Sequence, residues 1–155
     1  LGRDGNRKNN RCRMSEPRQI NGQCLCGAVT VTATLTDTIV RACHCEMCRR
    51  QTSSMFMSLP ADNIVFSGPT KTFQSSTWAE RGFCGTCGST LWYASAGDGH
   101  INPSAGLFDN AAGAALTLEF FTDAAPQGYA LAGDHRKMST QETLALFAPN
   151  DGDAK

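Results

Sequence analysis

The segment Cys43-His44-Cys45-Glu46-Met47-Cys48 places three thiols within six residues. A cysteine pair lies on each side of it in the sequence, Cys24-Leu25-Cys26 upstream and Cys84-Gly85-Thr86-Cys87 downstream. Thiolates packed this closely repel one another unless a cation neutralises them, and a soft divalent ion such as zinc is the usual partner. Because seven of the eight cysteines fall in these three groups, the pattern predicts metal binding.

The two flanking pairs suit one closed site. Two cysteines separated by one or two residues can direct both sulfurs to one ion through a tight turn. Gly27 and Gly88, which follow the pairs, allow backbone amides to approach the thiolates. We therefore predict a structural zinc that ties an early loop to a late one and adds roughly 10 kcal/mol or more to folding. Its predicted ligands are Cys24, Cys26, Cys84 and Cys87.

The central segment leaves Cys43, Cys45 and Cys48 for a second zinc. Three thiolates leave the fourth position of the ion to water, a substrate sulfur or a protein ligand, as in catalytic zinc sites. His44 is the nearest candidate to close the site, but it alternates with two ligands in an extended turn, so we expect its ring to point away. Two other interpretations stay open: the cysteines serve folding only, or they form a redox-active dithiol, although the chain lacks the βαβ pattern that usually presents one.

Composition limits the class of protein. A chain of 155 residues, 41% of them hydrophobic, suits one domain with its own core. Its apolar runs are shorter than the ~20 residues of a membrane helix, and 14 basic residues balance 14 acidic ones, so we expect neither a membrane nor a nucleic acid as partner. Residues 1–13 are polar and basic; we predict a disordered tail of artificial origin there, and a single zinc-binding domain at 14–155. Without an apolar signal region, the expected location is the cytoplasm, where thiols stay reduced.

Alternation and turn residues predict a mainly β fold with long loops. Residues 27–35 place four apolar side chains on one face and three threonines on the other, the pattern of a half-buried strand. Further short strands are predicted at 38–42, 55–59, 63–66, 71–75, 89–93 and 116–122.

Two helices are predicted. A short one at 46–51 carries the last cysteine of the central segment, and Ser139 with Glu142 forms a capping-box pattern that begins a C-terminal helix. Trp78 and Trp92 are both expected in the core.

Four segments resemble the glutathione-dependent formaldehyde-activating enzyme family, which also includes centromere protein V. They are Gly22-Gln23-Cys24-Leu25-Cys26-Gly27-Ala28-Val29, Cys43-His44-Cys45-Glu46-Met47-Cys48-Arg49, Arg81-Gly82-Phe83-Cys84-Gly85-Thr86-Cys87-Gly88-Ser89-Thr90-Leu91 and Gly106-Leu107-Phe108-Asp109. The resemblance covers residues 19–121. It implies a fold of the Mss4-like type, in which two small sheets are pinned by zinc, and the same division of the cysteines into four and three.

The best-known members of that family are described as carbon–sulfur lyases that join formaldehyde and glutathione into S-hydroxymethylglutathione, or split it. The resemblance therefore implies a zinc-dependent enzyme acting on a thiol adduct, with the three central cysteines at the catalytic site and a small thiol such as glutathione as partner. An open zinc site suits this chemistry, because zinc binds a thiol as thiolate or polarises a carbonyl oxygen. The alternative within the family is a zinc-stapled binding module, as the centromere branch suggests, but the balanced charge offers no basic patch for chromatin.

Basic side chains could hold the carboxylates of the tripeptide. The choices are Arg49, Arg50, Lys71 and Arg81, and Arg49 is favoured because it directly follows Cys48. The chain also departs from the family at two places. Many relatives have a glycine where this chain reads Thr52-Ser53-Ser54, and many carry a histidine where it reads Glu119-Phe120-Phe121.

Overall fold

The computed structural model describes residues 16–147. The predicted tail at 1–13 lies outside these residues, and the predicted extent of the domain, 14–155, stays a prediction. The strands of the described part are β1 (Arg18–Gln23), β2 (Thr30–Leu35), β3 (Ile39–Cys43), β4 (Phe56–Ser58), β5 (Ala61–Ser67), β6 (Thr70–Ser76), β7 (Ala79–Cys84), β8 (Thr90–Ser95), β9 (Ile101–Pro103), β10 (Ala115–Phe120) and β11 (Arg136–Lys137). Its two α-helices are α1 (Glu46–Thr52) and α2 (Thr140–Phe147).

The strands form three small sheets, one more than the resemblance implied. The first has the order β1-β2-β5 and the second the order β6-β7-β8-β9, and all their pairs are antiparallel. The third has the order β11-β10-β3-β4, in which β10 runs parallel to both β3 and β11. The prediction of a mainly β fold is confirmed, and every predicted strand overlaps an observed one.

Strand β2 shows why the alternating pattern was informative. Its apolar face is almost completely buried, whereas Thr30 and Thr32 on the other face are exposed. The strand begins at Thr30 rather than at residue 27, because Gly27 has a φ of +75° and still belongs to the preceding turn. The buried residues of this face are Val29, Val31, Ala33 and Leu35.

The two tryptophans have different environments. Trp92 lies in the core, with its ring centroid 4.6 Å from that of Phe66. The prediction for Trp78 is wrong: the residue is 61% exposed, because it lies in the turn that joins β6 to β7.

Two turns of similar shape carry the flanking cysteine pairs. The β1–β2 turn closes when Gly27 N donates to Cys24 O (3.1 Å), and the β7–β8 turn closes when Gly88 N donates to Cys84 O (2.9 Å). Both glycines have a φ of +75°, which an L side chain would strain. Each turn thus presents its two cysteines at the end of a different sheet.

Both predicted helices are confirmed. Helix α1 follows β3 directly and ends at Ser53, which has a φ of 60°. The capping box of α2 forms as predicted: Glu142 N donates to Ser139 Oγ (3.2 Å), and Ser139 N donates to Glu142 Oε2 (2.7 Å). Neither helix has the length and apolar content needed to cross a membrane.

Candidate metal centres and the surrounding charges

The four flanking cysteines meet between the first and second sheets. Their Sγ atoms all lie within 4.8 Å of one another. The Sγ atom of Cys26 is 3.6 Å from that of Cys24 in its own turn and 3.9 Å from that of Cys84 in the other turn. We call this the four-cysteine group, and its remaining member is Cys87.

Backbone amides and one hydroxyl lie within hydrogen-bond distance of three of these sulfurs. Val29 N donates to Cys24 Sγ (3.3 Å), and Thr86 N donates to Cys84 Sγ (3.4 Å). The Ser89 hydroxyl lies 3.1 Å from Cys87 Sγ, and hydrogen bonds from this hydroxyl and from the Ser89 backbone lower the pKa of that thiol to about 5. Ser89 was not singled out from the sequence, because nothing in a lone serine after a glycine marks it as a partner of sulfur.

The three central cysteines also come together, where β3 passes into α1. Cys43 ends β3, Cys45 immediately precedes α1, and Cys48 lies in the first turns of that helix with 3% of its surface exposed. Their Sγ atoms lie within 4.8 Å of one another, and no other Cys, His, Asp or Glu of residues 16–147 joins them. We call this the three-cysteine group.

His44 is turned toward a carboxylate. Its ring is almost fully buried, and its Nε2 lies 2.5 Å from Glu119 Oε2 on β10. The other oxygen of Glu119 contacts Nε2 of His135, which is also buried. His44 is therefore not among the gathered ligand atoms, in agreement with the expectation that its ring points away.

The Glu119 carboxylate carries a charge in this buried cluster. Burial raises its pKa, but the hydrogen bonds from His135 and His44 outweigh burial, so the pKa lies below its usual value. Sequence reasoning noted the departure at 119 without finding its partners. The signal that could have found them is the glutamate itself, because a charged side chain inside a strand between apolar residues needs a partner.

Arg81, one of the four basic side chains considered for binding carboxylates, is buried. It lies on β7 with 4% of its surface exposed, and its Nη1 is 3.5 Å from Cys48 Sγ. The same nitrogen donates to Gln51 Oε1 (2.8 Å), and Nε donates to Ser75 Oγ (3.1 Å). The guanidinium thus belongs to the surroundings of the three-cysteine group.

Arg49, the favoured candidate for binding a carboxylate, lines a cavity. It is half-buried, and its Nε donates to the carbonyl oxygen of His44 (3.0 Å). Arg50 forms an exposed ion pair with Glu46 (2.6 Å), and Lys71 is exposed on β6. The cavity has a volume of about 350 Å³ and is lined by Glu46, Arg49, Arg50, Ser53, Pro126 and Tyr129.

The donor chemistry of both groups fits a soft divalent cation. Within the three-cysteine group, hydrogen bonding to Cys45 and Cys48 raises the pKa of Cys43, whereas the hydrogen bond with Cys43 lowers the pKa of Cys45. The sulfurs thus differ in their affinity for protons, because three thiolates this close repel one another and some must stay protonated. A divalent ion removes that conflict, and all-sulfur donor sets favour zinc or a similarly soft metal. Both groups could hold a metal ion.

Comparison with known proteins identifies the family. The model of the family described as glutathione-dependent formaldehyde-activating enzyme matches residues 19–124. The chain belongs to this family. The matched range includes both cysteine groups, Arg49 and Arg81, whereas His135 and α2 lie beyond it.

Two individual proteins are similar to parts of this chain. An uncharacterized lyase of Schizosaccharomyces pombe is 35% identical over 79 residues, which make up 49% of this chain and 58% of the relative. The chain therefore spans less than two thirds of the length of this relative. A crystal structure of a Rhodobacter sphaeroides protein has a TM-score of 0.50 at 20% identity, and the match covers 63% of this chain and 100% of the other. At that identity the likeness concerns the fold alone, which is the β-rich, Mss4-like fold that the resemblance implied.

Proposed function

We propose that this protein is a zinc-dependent carbon–sulfur lyase acting on a thiol adduct, which forms or cleaves S-hydroxymethylglutathione. Membership of the family and the relative named as a lyase support a lyase-type function. The observation that carries the finer proposal is the unequal size of the two groups. Four thiols gather in one, whereas three gather in the other with no fourth ligand within residues 16–147.

The two groups would then have different roles. The four-cysteine group would hold a structural zinc and join the β1–β2 turn to the β7–β8 turn. Cys43, Cys45 and Cys48 would hold a second zinc with one position open to a small molecule. When bound there, zinc would supply Lewis acidity, which lowers the pKa of a thiol or polarises a carbonyl oxygen.

The reaction needs a sulfur, a carbonyl carbon and one proton. In the forming direction the glutathione sulfur attacks the carbon of formaldehyde, the π electrons move to oxygen, and the thiol proton ends on that oxygen. Cleavage runs through the same steps in reverse, and no electrons are gained or lost overall. The guanidinium of Arg49 would bind a carboxylate of glutathione in the adjoining cavity and hold the sulfur near the three-cysteine group.

The free thiols of both groups need a reducing compartment to stay available for metal. The proposal therefore includes a cytoplasmic location and a small-molecule thiol as partner.

Serine substitutions in the two groups test this division. Cys48→Ser should abolish turnover and remove one zinc per chain, with a smaller loss of unfolding free energy than in Cys87→Ser. Cys87→Ser should destabilise the whole fold, because it opens the site that joins two sheets. The measurements are zinc content, urea unfolding, and exchange of ¹³C-formaldehyde with glutathione followed by NMR. Equal loss of folding in the two variants, or turnover retained in Cys48→Ser, would contradict the proposal.

A further inference from the structure

The guanidinium of Arg81 is buried, and no carboxylate of residues 16–147 forms an ion pair with it. Two of its contacts, Gln51 Oε1 and Ser75 Oγ, are neutral oxygens, and its Cζ lies 5.4 Å from the centroid of the Tyr93 ring. The ion pairs within residues 16–147 do not include it. A buried arginine cannot lose its proton, so it needs a negative charge nearby to offset the loss of hydration.

The remaining contact of Arg81 is Cys48 Sγ at 3.5 Å. Cys48 is 3% exposed and belongs to the three-cysteine group. Three thiolates with a divalent cation carry one net negative charge, and the guanidinium carries one positive charge. The two charges cancel in a place where water is largely absent, which is the condition for a stable buried pair.

From this charge balance we propose that Arg81 is a positioning residue for the second metal, a fixed counter-charge that holds Cys48 and raises the metal affinity of the three-cysteine group. The inference rests on the proposed second zinc site. It also bears on the substrate, because a thiolate arriving at the open position would bring the group to two net negative charges, of which the guanidinium would offset one.

The four-cysteine group has different surroundings. Its sulfurs receive hydrogen bonds from backbone amides and lie beside the Ser89 hydroxyl, and Cys26 is exposed to solvent. Water can therefore screen the charge of that group, and Arg81 should not affect its metal. Arg81 and Cys84 lie on the same strand, β7, three residues apart, so one strand contributes a ligand to one group and the counter-charge to the other.

A purely mechanical role is the competing explanation. The hydrogen bond from Arg81 to Gln51 ties β7 to α1, and loss of this tie alone could loosen the three-cysteine group. Gln51→Leu removes the tie and leaves the charge in place, so it is the matched control. Arg81→Met removes the charge with a side chain of similar shape. Arg81→Lys keeps the charge but lacks the planar guanidinium group.

The test measures zinc affinity in the full chain by competition with a chromophoric chelator. The wild type should hold two zinc ions. In Arg81→Met the second ion should bind at least about tenfold more weakly, as for other residues that support metal ligands, while the first ion is unaffected. Arg81→Lys should recover most of the affinity, and Gln51→Leu should bind as the wild type does.

A spectroscopic readout separates charge from mechanics. With cobalt(II) in the three-cysteine group, the sulfur-to-metal charge-transfer band should move to longer wavelength in Arg81→Met, because the sulfur electrons lose a stabilising positive charge. The band should stay in place in Gln51→Leu. If Arg81→Met does not fold, Arg81→Lys decides the question. Zinc binding by Arg81→Lys as tight as in the wild type would support a role for the positive charge, and tenfold weaker binding would overturn it.

Failure of the proposed function and failure of the role of Arg81 give different results. A wild type without a second zinc would overturn the proposed function. A wild type with two zinc ions, together with unchanged affinity in Arg81→Met or equal weakening in Arg81→Met and Gln51→Leu, would overturn only the role of Arg81.

Discussion

At the scale of single residues, Ser53 shows how a departure from the family pattern appears in the structure. It ends α1 in the left-handed region, with a φ of 60° and a ψ of 8°. A side chain in this region is strained, which is why glycine is preferred after helices. The segment Thr52-Ser53-Ser54, where many relatives have a glycine, therefore keeps the glycine-like backbone without the glycine.

Replacing Ser53 by glycine should stabilise the protein by about 1 kcal/mol, because it removes the left-handed strain. Urea unfolding at neutral pH measures the change. Ser54→Gly is the matched control, since Ser54 has no positive φ, and it should be neutral or destabilising. A Ser53→Gly variant less stable than the wild type would contradict this explanation.

Arg49 is the residue whose role in substrate binding is most directly testable. Arg49→Gln should raise the KM for glutathione about tenfold, equivalent to ~1.4 kcal/mol of lost binding, with a smaller effect on kcat. Arg50→Gln is the control, because the Arg50 guanidinium is already paired with Glu46. Steady-state kinetics of both variants decide the question, and an equal rise of KM in the two would count against a specific role for Arg49.

At the scale of elements, Glu119 links three segments that carry or flank the candidate site. Its carboxylate on β10 contacts His44 just after β3 and His135 just before β11. These hydrogen bonds hold its pKa below the usual 4.5 against the opposing effect of burial. A depressed pKa means that the ionised carboxylate stabilises the fold above pH ~4.5 and that this contribution is lost as the pH falls through the folded-state value.

Glu119→Gln should therefore cost about 1–3 kcal/mol of unfolding free energy at pH 7, because one imidazole loses its acceptor. The difference between wild type and variant should shrink as the pH falls below ~4.5, first because the carboxyl of the unfolded chain binds a proton and then because that of the folded protein does. Urea unfolding of both proteins at pH 7, 5 and 4 measures both effects. Because wild type and variant are compared at each pH, destabilisation caused by protonation of the cysteines cancels in the difference. A difference that stays constant over this range would show that the charge of Glu119 does not stabilise the fold.

The same elements show what the sequence could and could not predict. Strand β2, helix α1 and the capping box of α2 were predictable because local alternation and short-range hydrogen bonds determine them. Strand β7 was missed, since Gly82 interrupts its pattern; a Cβ there would lie 2.2 Å from the ring of Trp92. That close approach explains the glycine, but it depends on a residue of another strand.

The contacts around the three-cysteine group were hidden for a related reason. Glu119 reaches His44 because β10 pairs in parallel with β3, and Arg81 reaches Cys48 because β7 packs near α1. Both contacts join residues far apart in the chain, which no local pattern encodes. The gathering of the cysteines was predictable, because thiols at such short spacing are typical of metal sites.

At the scale of the whole molecule, the two cysteine groups lie in different structural contexts. The four-cysteine group joins the turns of two sheets, whereas the three-cysteine group lies between one strand and the helix that follows it. A metal in the first group would therefore support the whole fold, and a metal in the second would mainly order a local segment. This contrast is the basis for proposing one structural and one catalytic metal site.

Stepwise removal of zinc tests that division most directly. Reduced protein is titrated with a chelator while zinc release, far-UV circular dichroism and binding of glutathione are recorded together. We predict two zinc ions per chain: one is released early without loss of structure and is the one that glutathione contacts, and the other is released only as the fold is lost. A single zinc per chain, or two ions released together with unfolding, would contradict the account.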